Sequence, residues 1–428
     1  MSERLEAIFD GHQVGTLSYA KDRIRFAYTK AWQENPKAFP LSLSMPLVAD
    51  DYPDPVVRPF ICGLLPDDMD ILKRWGRKFQ VAPQNPFRLL ANVGEECAGA
   101  IQFVPSESLP QWLSDSPPQG VEWLSDEELE SRIDRLVTDR SEARRHGDEG
   151  QFSLPGAQAK TGLYLDTNSK RWGIPKGATP TTHILKPNVG EFEDFEINEH
   201  YCLKLGAQLG LRTAESWTET IGKNRVIVVK RYDRMPIDGR LIRVHQEDFC
   251  QALGVKPEDK YQKDGGPSAG DVFGLLRDYS SAKQEDALTF LRALIYNYLI
   301  AGTDGHAKNF GMLISSQGQF RLTPLYDIVS ILPYQHQAKK LKLAMKVGGE
   351  YLLWKITSER WKKAAKEWGF DEDLVIDQIR KMASELPDAA QGARQKVAEL
   401  IGKDSAILER LNAEISKRAR TCLEEFSP

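Results

Sequence analysis

Residues 284–301 place apolar side chains at Leu288, Leu291, Ala293, Leu294, Ile295, Leu299 and Ile300, the pattern of a helix buried over most of its surface. A helix of this kind needs packing partners on several sides, so the chain must build layers around it. The pattern runs directly into Gly302-Thr303-Asp304-Gly305-His306-Ala307-Lys308-Asn309-Phe310, with Gly302 expected to end the helix, so a polar loop hangs from a rigid element. Phe310 to Ile314 then reads as a strand, Ser315-Ser316-Gln317-Gly318 as a turn, and Arg321-Leu322 as the start of a return strand leading to Thr323-Pro324-Leu325-Tyr326-Asp327-Ile328. Such a hairpin would bring Asn309 and Asp327 back together.

Asp304 and Asn309 stand five apart, and Asp327 follows 23 residues after Asp304. Phosphoryl transfer needs one carboxylate to orient the attacking hydroxyl, then an amide and a second carboxylate to hold Mg²⁺ against nucleotide phosphates; protein kinases take the first two from one loop with this spacing. An Asp-Gly turn capped by its own side chain would account for the loop taken alone. The upstream half therefore has to decide.

In Phe152-Ser153-Leu154-Pro155-Gly156-Ala157-Gln158-Ala159-Lys160-Thr161 the Walker spacing is absent. Small residues followed by Lys160 can still fold back over phosphates with backbone N–H groups and an ammonium, although a plain hairpin turn accounts for the stretch equally well. Lys186 lies in the strand-like Thr182-His183-Ile184-Leu185-Lys186-Pro187, where a lysine is out of place unless it snorkels or meets an anion; it is the candidate phosphate-binding lysine. Residues 195–210 have helical periodicity and end at Gly210, placing Glu199 where it can pair with Lys186. Arg225 to Asp233 is a β-rich run ending in charge.

These islands resemble the HipA-type toxins, serine/threonine protein kinases of type II toxin–antitoxin modules. The residues that carry the resemblance are Ser153, Gly156-Ala157-Gln158 and Lys160; Trp172, Ile174-Pro175-Lys176-Gly177 and Thr179-Pro180-Thr181-Thr182-His183; Asn198-Glu199 and Tyr201-Cys202; Gln246-Glu247-Asp248; Asp264-Gly265-Gly266-Pro267; Thr303 to Asn309; and Tyr326-Asp327-Ile328. They cover nearly the whole length. The resemblance implies an α+β, protein-kinase-like two-lobed fold, with a small mixed α/β N-lobe, a helical C-lobe and an extra β-rich N-terminal subdomain. It implies ATP and Mg²⁺, with Asp304 as catalytic base, Asn309 and Asp327 as metal ligands, and Glu199 as the carboxylate pairing the nucleotide lysine, Lys186. Nucleotide contacts would come from Ser153, Pro155, Gly156, Ala157, Gln158, Ala159, Lys160, Lys186, Tyr326 and, on the phosphate side, His306 and Lys308; Lys230, Arg231 and Tyr232 would form the adenine edge.

The family also implies autophosphorylation at Ser153, which ejects the loop and switches the kinase off. A phosphate adds roughly −1.5 to −2 charges at pH 7, so a phosphorylated Ser153 would be repelled from a pocket containing two carboxylates. A turn hydroxyl serving local backbone is the plain alternative. Two departures from ordinary protein kinases stand out: Thr303 replaces the Arg before the catalytic Asp, and Tyr326-Asp327-Ile328 replaces Asp-Phe-Gly, so control by an activation-loop phosphate is not expected. The family's controls are self-modification and a helix-turn-helix antitoxin of HipB type, through which the toxin reaches operator DNA indirectly. Its precedent for a protein substrate is an aminoacyl-tRNA synthetase, glutamyl-tRNA synthetase; no residue here reveals the target.

The 428 residues suggest two to four compact units. Residues 1–105 read as a β-rich docking subdomain with an Asp10-Gly11 hairpin turn, 106–149 as a charged linker with one helix opened by a Ser125-Asp126-Glu127-Glu128 capping box and mobile from Arg140 to Gly150, 150–235 as the N-lobe, and 236–428 as the helical C-lobe with breaks at Gly369, Pro387 and Gly402. No run of 18 apolar residues occurs and the charged start has no signal-peptide core, so a cytoplasmic protein without a membrane span is expected. Five scattered cysteines support neither a disulfide framework nor a zinc site. A net charge of −4 argues against autonomous nucleic-acid binding, and the basic segments Lys339 to Lys346 and Arg360 to Lys366 read as solvated faces. Two competing readings share these residues: a small-molecule phosphotransferase of the aminoglycoside type, and a non-catalytic co-repressor.

Overall fold

Both turns of the first meander use pairs of left-handed residues: Asp10 and Gly11 (φ 42° and 75°) between β1 (Glu3–Phe9) and β2 (His12–Ala20), then Lys21 and Asp22 (φ 50° and 59°) between β2 and β3 (Arg23–Tyr28). Two positive-φ residues match the twist of the flanking strands, which is why Asp-Gly marks the first turn in the sequence. With β4 (Asp51–Tyr52) and β5 (Gln102–Pro105) the strands form an antiparallel sheet in the order β4-β3-β2-β1-β5. The helix Asp54–Leu64 buries Val57, Phe60, Ile61 and Leu64 in the same core as Leu5, Leu17 and Phe26. The structure, a computed structural model, describes residues 3–114, 116–138, 153–156, 158–189, 192–315, 318–334, 340–402 and 405–426. Arg140 to Gly150, Ala157 and the turn residues Ser316 and Gln317 lie outside the described residues.

A second antiparallel sheet has the order β10-β11-β9-β7-β8-β6, from β6 (Gln119–Trp123), β7 (Thr161–Asp166), β8 (Arg171–Gly177), β9 (His183–Pro187), β10 (Ser216–Ile221) and β11 (Asn224–Lys230). Its strands alternate in the way a sheet covered on both faces requires. Val226 and Val228 pack with Leu129, Ile133 and Leu136 of the helix Asp126–Thr138, whereas Ile227 and Val229 join the main core with Ile197 and Tyr201 of the helix Phe195–Gln208. The capping box forms, with the Ser125 N–H donating to Glu128 Oε2 at 2.9 Å and the Glu128 N–H to Ser125 Oγ at 3.2 Å. Residues 119–123, inside the stretch that reads as a charged linker, form the edge strand β6 on β8. A five-residue half-exposed strand has too little apolar alternation to be seen in sequence.

Beyond β12 (Arg234–Ile237), β13 (Arg240–Arg243) and β14 (His245–Asp248) the chain is mainly helical: Ala269–Tyr279, Lys283–Ile300, Ser358–Trp368, Glu372–Ile401 and Ala406–Glu425. β15 (Gly311–Ser315) and β16 (Gln319–Leu322) form the expected hairpin, whose β15 also pairs with β14, while β17 (Lys342–Val347) and β18 (Glu350–Leu352) form another. Two helix ends differ from expectation. The helix before the polar loop is ended by Ala301, not Gly302: Ala301 takes the left-handed conformation (φ 53°), and its N–H donates to Asn297 O. Pro387 breaks nothing, because Glu372–Ile401 continues through it, held by burial of Ile379, Met382, Ala383, Leu386 and Ala390. Among the described residues no helix is long and apolar enough to cross a membrane.

The first sheet's region is wired to the rest by buried polar contacts. Glu96 accepts from Arg231 at 2.8 Å and Arg234 at 2.7 Å and pairs with Arg243, while Asp233 pairs with Arg231 at 2.7 Å. Glu247 receives the Leu43 N–H at 2.8 Å and the Ser42 hydroxyl.

Candidate functional site

The polar loop is shaped by one amide. A Cβ on Gly302 would lie 2.4 Å from Asn297 Oδ1, and one on Gly305 would lie 2.8 Å from Asn297 Nδ2, so only glycines let the loop close over that side chain. Asp304 O then accepts the His306 N–H at 2.8 Å and Asn309 Nδ2 at 2.7 Å, which folds the Asp-x-x-x-x-Asn segment onto itself. Asp304 leaves its carboxylate half exposed, with Oδ1 accepting the Tyr261 hydroxyl at 2.6 Å. The β15–β16 hairpin carries the chain back, and Asp327 sits in the left-handed region (φ 57°) in the same pocket wall as Asp304 and Asn309. A non-glycine residue held there is strained, and such strain gathers at functional sites.

Lys186 projects from β9 between two carboxylates, 2.7 Å from Glu199 Oε1 and 2.9 Å from Asp327 Oδ1. Burial opposes ionisation of Asp327, but the ammoniums of Lys186 and Lys160 outweigh it and hold Asp327 well below the usual carboxylate range. Glu199 is shifted the other way, because complete burial and the charge of Asp327 exceed the help it receives from Lys186. The ammonium of Lys186 is itself stabilised against burial by the two carboxylates. Lys160 donates to Pro155 O at 2.6 Å; burial, with Lys186 adding, pushes its ammonium down to about 8.

The remaining expected residues divide. Ser153 is fully buried, with its hydroxyl donating to Leu64 O at 2.7 Å and its N–H to Glu96 O at 2.6 Å. Pro155, Gly156 and Gln158 line the cleft and Ala159 is buried beside it; Ala157 lies outside the described residues. Tyr232 and Tyr326 lie with ring centroids 5.7 Å apart, and the Tyr326 hydroxyl donates to Lys308 O at 2.8 Å. The Arg231 guanidinium is turned into the Glu96 and Asp233 network, Lys230 reaches outward to Glu215 at 3.0 Å, and Lys308 is bound to Asp248 at 2.9 Å. His306 is buried, and burial lowers its pKa. Sequence reasoning missed Asp67, Lys260 and Tyr261. Asp67, from the first sheet's region, sits 2.9 Å from Lys260 and 3.7 Å from Lys308, a contact across about 190 to 240 residues of chain that no periodicity announces. Asp248 stood in a motif but without a role.

The cleft has a volume of about 280 Å³ and brings together Lys160, Lys186, Asp304, Asn309, Asp327 and Tyr232. Its donor set suits an anion next to a hard cation. Glu199 Oε2, His306 Nδ1 and Asp67 Oδ1 are buried without a hydrogen bond among the described residues, so polar capacity is left over for a ligand. Among the described residues no group of three or more His, Cys, Asp or Glu side chains is placed to hold a metal. A divalent ion held by Asn309 and Asp327 would therefore complete its shell with phosphate oxygens and water, as Mg²⁺ commonly does.

Residues 152–390 match the family described as the HipA-like C-terminal domain, and residues 5–104 match the HipA N-terminal domain. The Y4mE protein of Sinorhizobium fredii, provisionally named a kinase, is 35% identical over 421 residues, 97% of this chain and 97% of its own. The protein of Shewanella oneidensis named serine/threonine-protein kinase toxin HipA is 28% identical over 396 residues, covering 88% of this chain and 86% of its own. A chain in the solved complex of the Shewanella oneidensis MR-1 toxin–antitoxin proteins HipA and HipB with operator DNA superposes with a TM-score of 0.81 at 24% identity, across 99% of this chain and 98% of that one. The fold is thus the α+β, protein-kinase-like two-lobed one with its extra β-rich N-terminal subdomain.

Proposed function

The chain belongs to the HipA family, and from that premise we propose that it is an ATP- and Mg²⁺-dependent serine/threonine protein kinase acting as the toxin of a toxin–antitoxin module. The observation that carries this reading is the Lys186 ammonium held between Glu199 and Asp327, in the same cleft as Asp304 and Asn309. In this reading Lys186 and Lys160 bind phosphate oxygens, Asn309 and Asp327 hold the metal, and Tyr232, its ring against Tyr326, lies at the adenine edge. Magnesium, when bound, neutralises charge on the phosphates. Asp304 orients an acceptor serine or threonine hydroxyl and takes its proton as the new O–P bond forms and the bond to the ADP oxygen breaks.

Residues 1–105 serve as a docking subdomain, 150–235 and 236–428 are the two lobes, and the connecting stretch 106–149 lends β6 and the helix Asp126–Thr138 to the sheet of the first lobe. Ser153 is a self-modification site; because its hydroxyl is buried against Leu64, the loop has to leave this position before the serine can be phosphorylated. The acceptor is a cytoplasmic protein, with glutamyl-tRNA synthetase as the family precedent, and growth arrest follows until a HipB-type antitoxin restrains the kinase. Co-repression of its own operon, with the antitoxin contacting operator DNA, is a second role, favoured by the HipB and DNA content of the matching solved complex.

The test is induction of parent, Asp304→Asn and Asp327→Asn chains, followed by phosphoproteomics and growth measurement. The expected result is serine or threonine phosphorylation and arrest with the parent alone, while operator repression persists in both variants. Arrest that survives both substitutions overturns the kinase reading, and phosphate found on small alcohols but on no protein replaces it with the small-molecule one.

A further inference from the structure

The motif Asp264-Gly265-Gly266-Pro267 touches neither phosphate-binding lysine nor metal-binding carboxylate, yet it is closely built. The Tyr261 carbonyl accepts the N–H groups of Asp264 at 2.9 Å and Gly266 at 3.0 Å, with Gly265 at φ 98° making the turn. A Cβ on Gly266 would lie 2.1 Å from Asp259 O and 2.7 Å from the Lys260 carbonyl carbon, so the motif is pressed onto the backbone that carries Tyr261. Neighbouring side chains tether that backbone on two further sides: Lys260 to Asp67 at 2.9 Å, and Gln262 Oε1 to the Lys346 N–H of β17 at 2.7 Å.

The fixed segment delivers one group to the site. The Tyr261 ring stands edge-on to His306, with centroids 5.0 Å apart, and its hydroxyl donates to Asp304 Oδ1 at 2.6 Å. His306 Nε2, 3.9 Å away, faces the same oxygen. Asp304 Oδ2 has no hydrogen bond among the described residues, on a side chain that is 53% exposed. We propose that Tyr261 is a positioning residue for phosphoryl transfer: it pins Oδ1 of Asp304 so that Oδ2 is presented to the acceptor hydroxyl, and the Asp264 to Pro267 turn exists to hold it there. This inference rests on the reading of Asp304 as the base. The torsion of an aspartate carboxylate is broad and nearly two-fold, so without the phenol the acceptor-facing oxygen samples unproductive orientations; misplacement of about 1 Å costs on the order of 10²-fold in rate. Charge assistance makes the phenol–carboxylate bond a strong restraint.

The experiment measures phosphate transfer from γ-labelled magnesium-ATP by the purified full chain to the acceptor protein found by phosphoproteomics, with the parent, Tyr261→Phe, Gly266→Ala and Asp304→Asn compared at matched thermal stability. Tyr261→Phe keeps the ring and removes only the hydroxyl. It is expected to lower kcat by roughly ten-fold or more while KM for magnesium-ATP stays within about two-fold, and Gly266→Ala, which displaces the tyrosine without touching it chemically, is expected to lower kcat in the same direction. Asp304→Asn should abolish turnover. Parent-like kcat in Tyr261→Phe beside an inactive Asp304→Asn overturns the inference and leaves the base assignment standing. A raised kcat in Tyr261→Phe also overturns it, since the phenol would then be blocking the acceptor. A parent that transfers no phosphate to that acceptor, or Asp304→Asn at the parent rate, overturns the kinase reading and this inference with it.

Discussion

Lys160 and Lys186 lie in one cleft and differ in what compensates their burial. Lys186 has two carboxylates within 3 Å, which secure its charge, whereas Lys160 has a backbone carbonyl and a second ammonium nearby, and its pKa falls to about 8. A nucleotide phosphate prefers the ammonium form. At pH 7 Lys160 carries its proton, and as pH rises through about 8 that charge is lost. Affinity for magnesium-ATP is accordingly expected to weaken between pH 7 and 9, by roughly ten-fold, and Lys160→Met should bind weakly with no such slope; calorimetric titration at several pH values checks both. Lys186→Met should show a different phenotype, because it leaves Glu199 and Asp327 without their shared cation and therefore costs stability as well as binding.

At the scale of elements, the parts nearest the chemistry were legible because each has a local rule. The periodicity of residues 284–301, the alternation around the β15–β16 turn and the closing Gly210 all appear in the structure, since helix and strand burial repeats every 3.6 and 2 residues. Ala301 and Pro387 went against local rules for tertiary reasons: Asn297 must turn its amide into the loop, and the long helix Glu372–Ile401 is held by packing along its length. Pro387 still lacks an N–H and crowds the preceding turn, so Pro387→Ala should raise the unfolding free energy by about 1 to 3 kcal/mol. Chemical denaturation with unchanged slope would show it. β6 remained hidden because its pairing with β8 is decided by the sheet it joins.

Across the whole molecule, buried polar contacts join the first sheet's region to the rest, the Glu96 and Glu247 sites among them. Glu96 is held down to about 2, because three guanidiniums outweigh its burial. Glu96→Gln would leave Arg231, Arg234 and Arg243 with Asp233 as their remaining carboxylate in the network, and breaking a buried ion network from one side costs about 3 to 5 kcal/mol; urea unfolding should register a loss of that order. Glu247 shows the opposite electrostatics. Burial raises it from its ordinary 4.5 to about 8, only partly offset by Ser42 and the Leu43 N–H. A folded pKa above the unfolded one means that the stabilisation from its protonated form is complete below pH 4.5 and is lost as pH rises through about 8. Glu247→Gln escapes this loss, so its thermal midpoint should exceed the parent's by a margin that is smallest near pH 5 and grows up to about pH 8.

Read alone, the sequence determined which residues are available and in what order: a buried helix ahead of Asp304 and Asn309, a hairpin returning Asp327, a lysine in an apolar strand, and a helix carrying Glu199. Each follows from side-chain periodicity or turn chemistry, which act over a few residues. The tertiary structure alone decided that Lys186 lies between Glu199 and Asp327, that Arg231 and Lys308 spend their charges on Glu96, Asp233 and Asp248, and that Tyr261 and Asp67 reach the cleft at all. Those contacts join residues far apart in the chain through distance and direction, and a one-dimensional pattern carries neither.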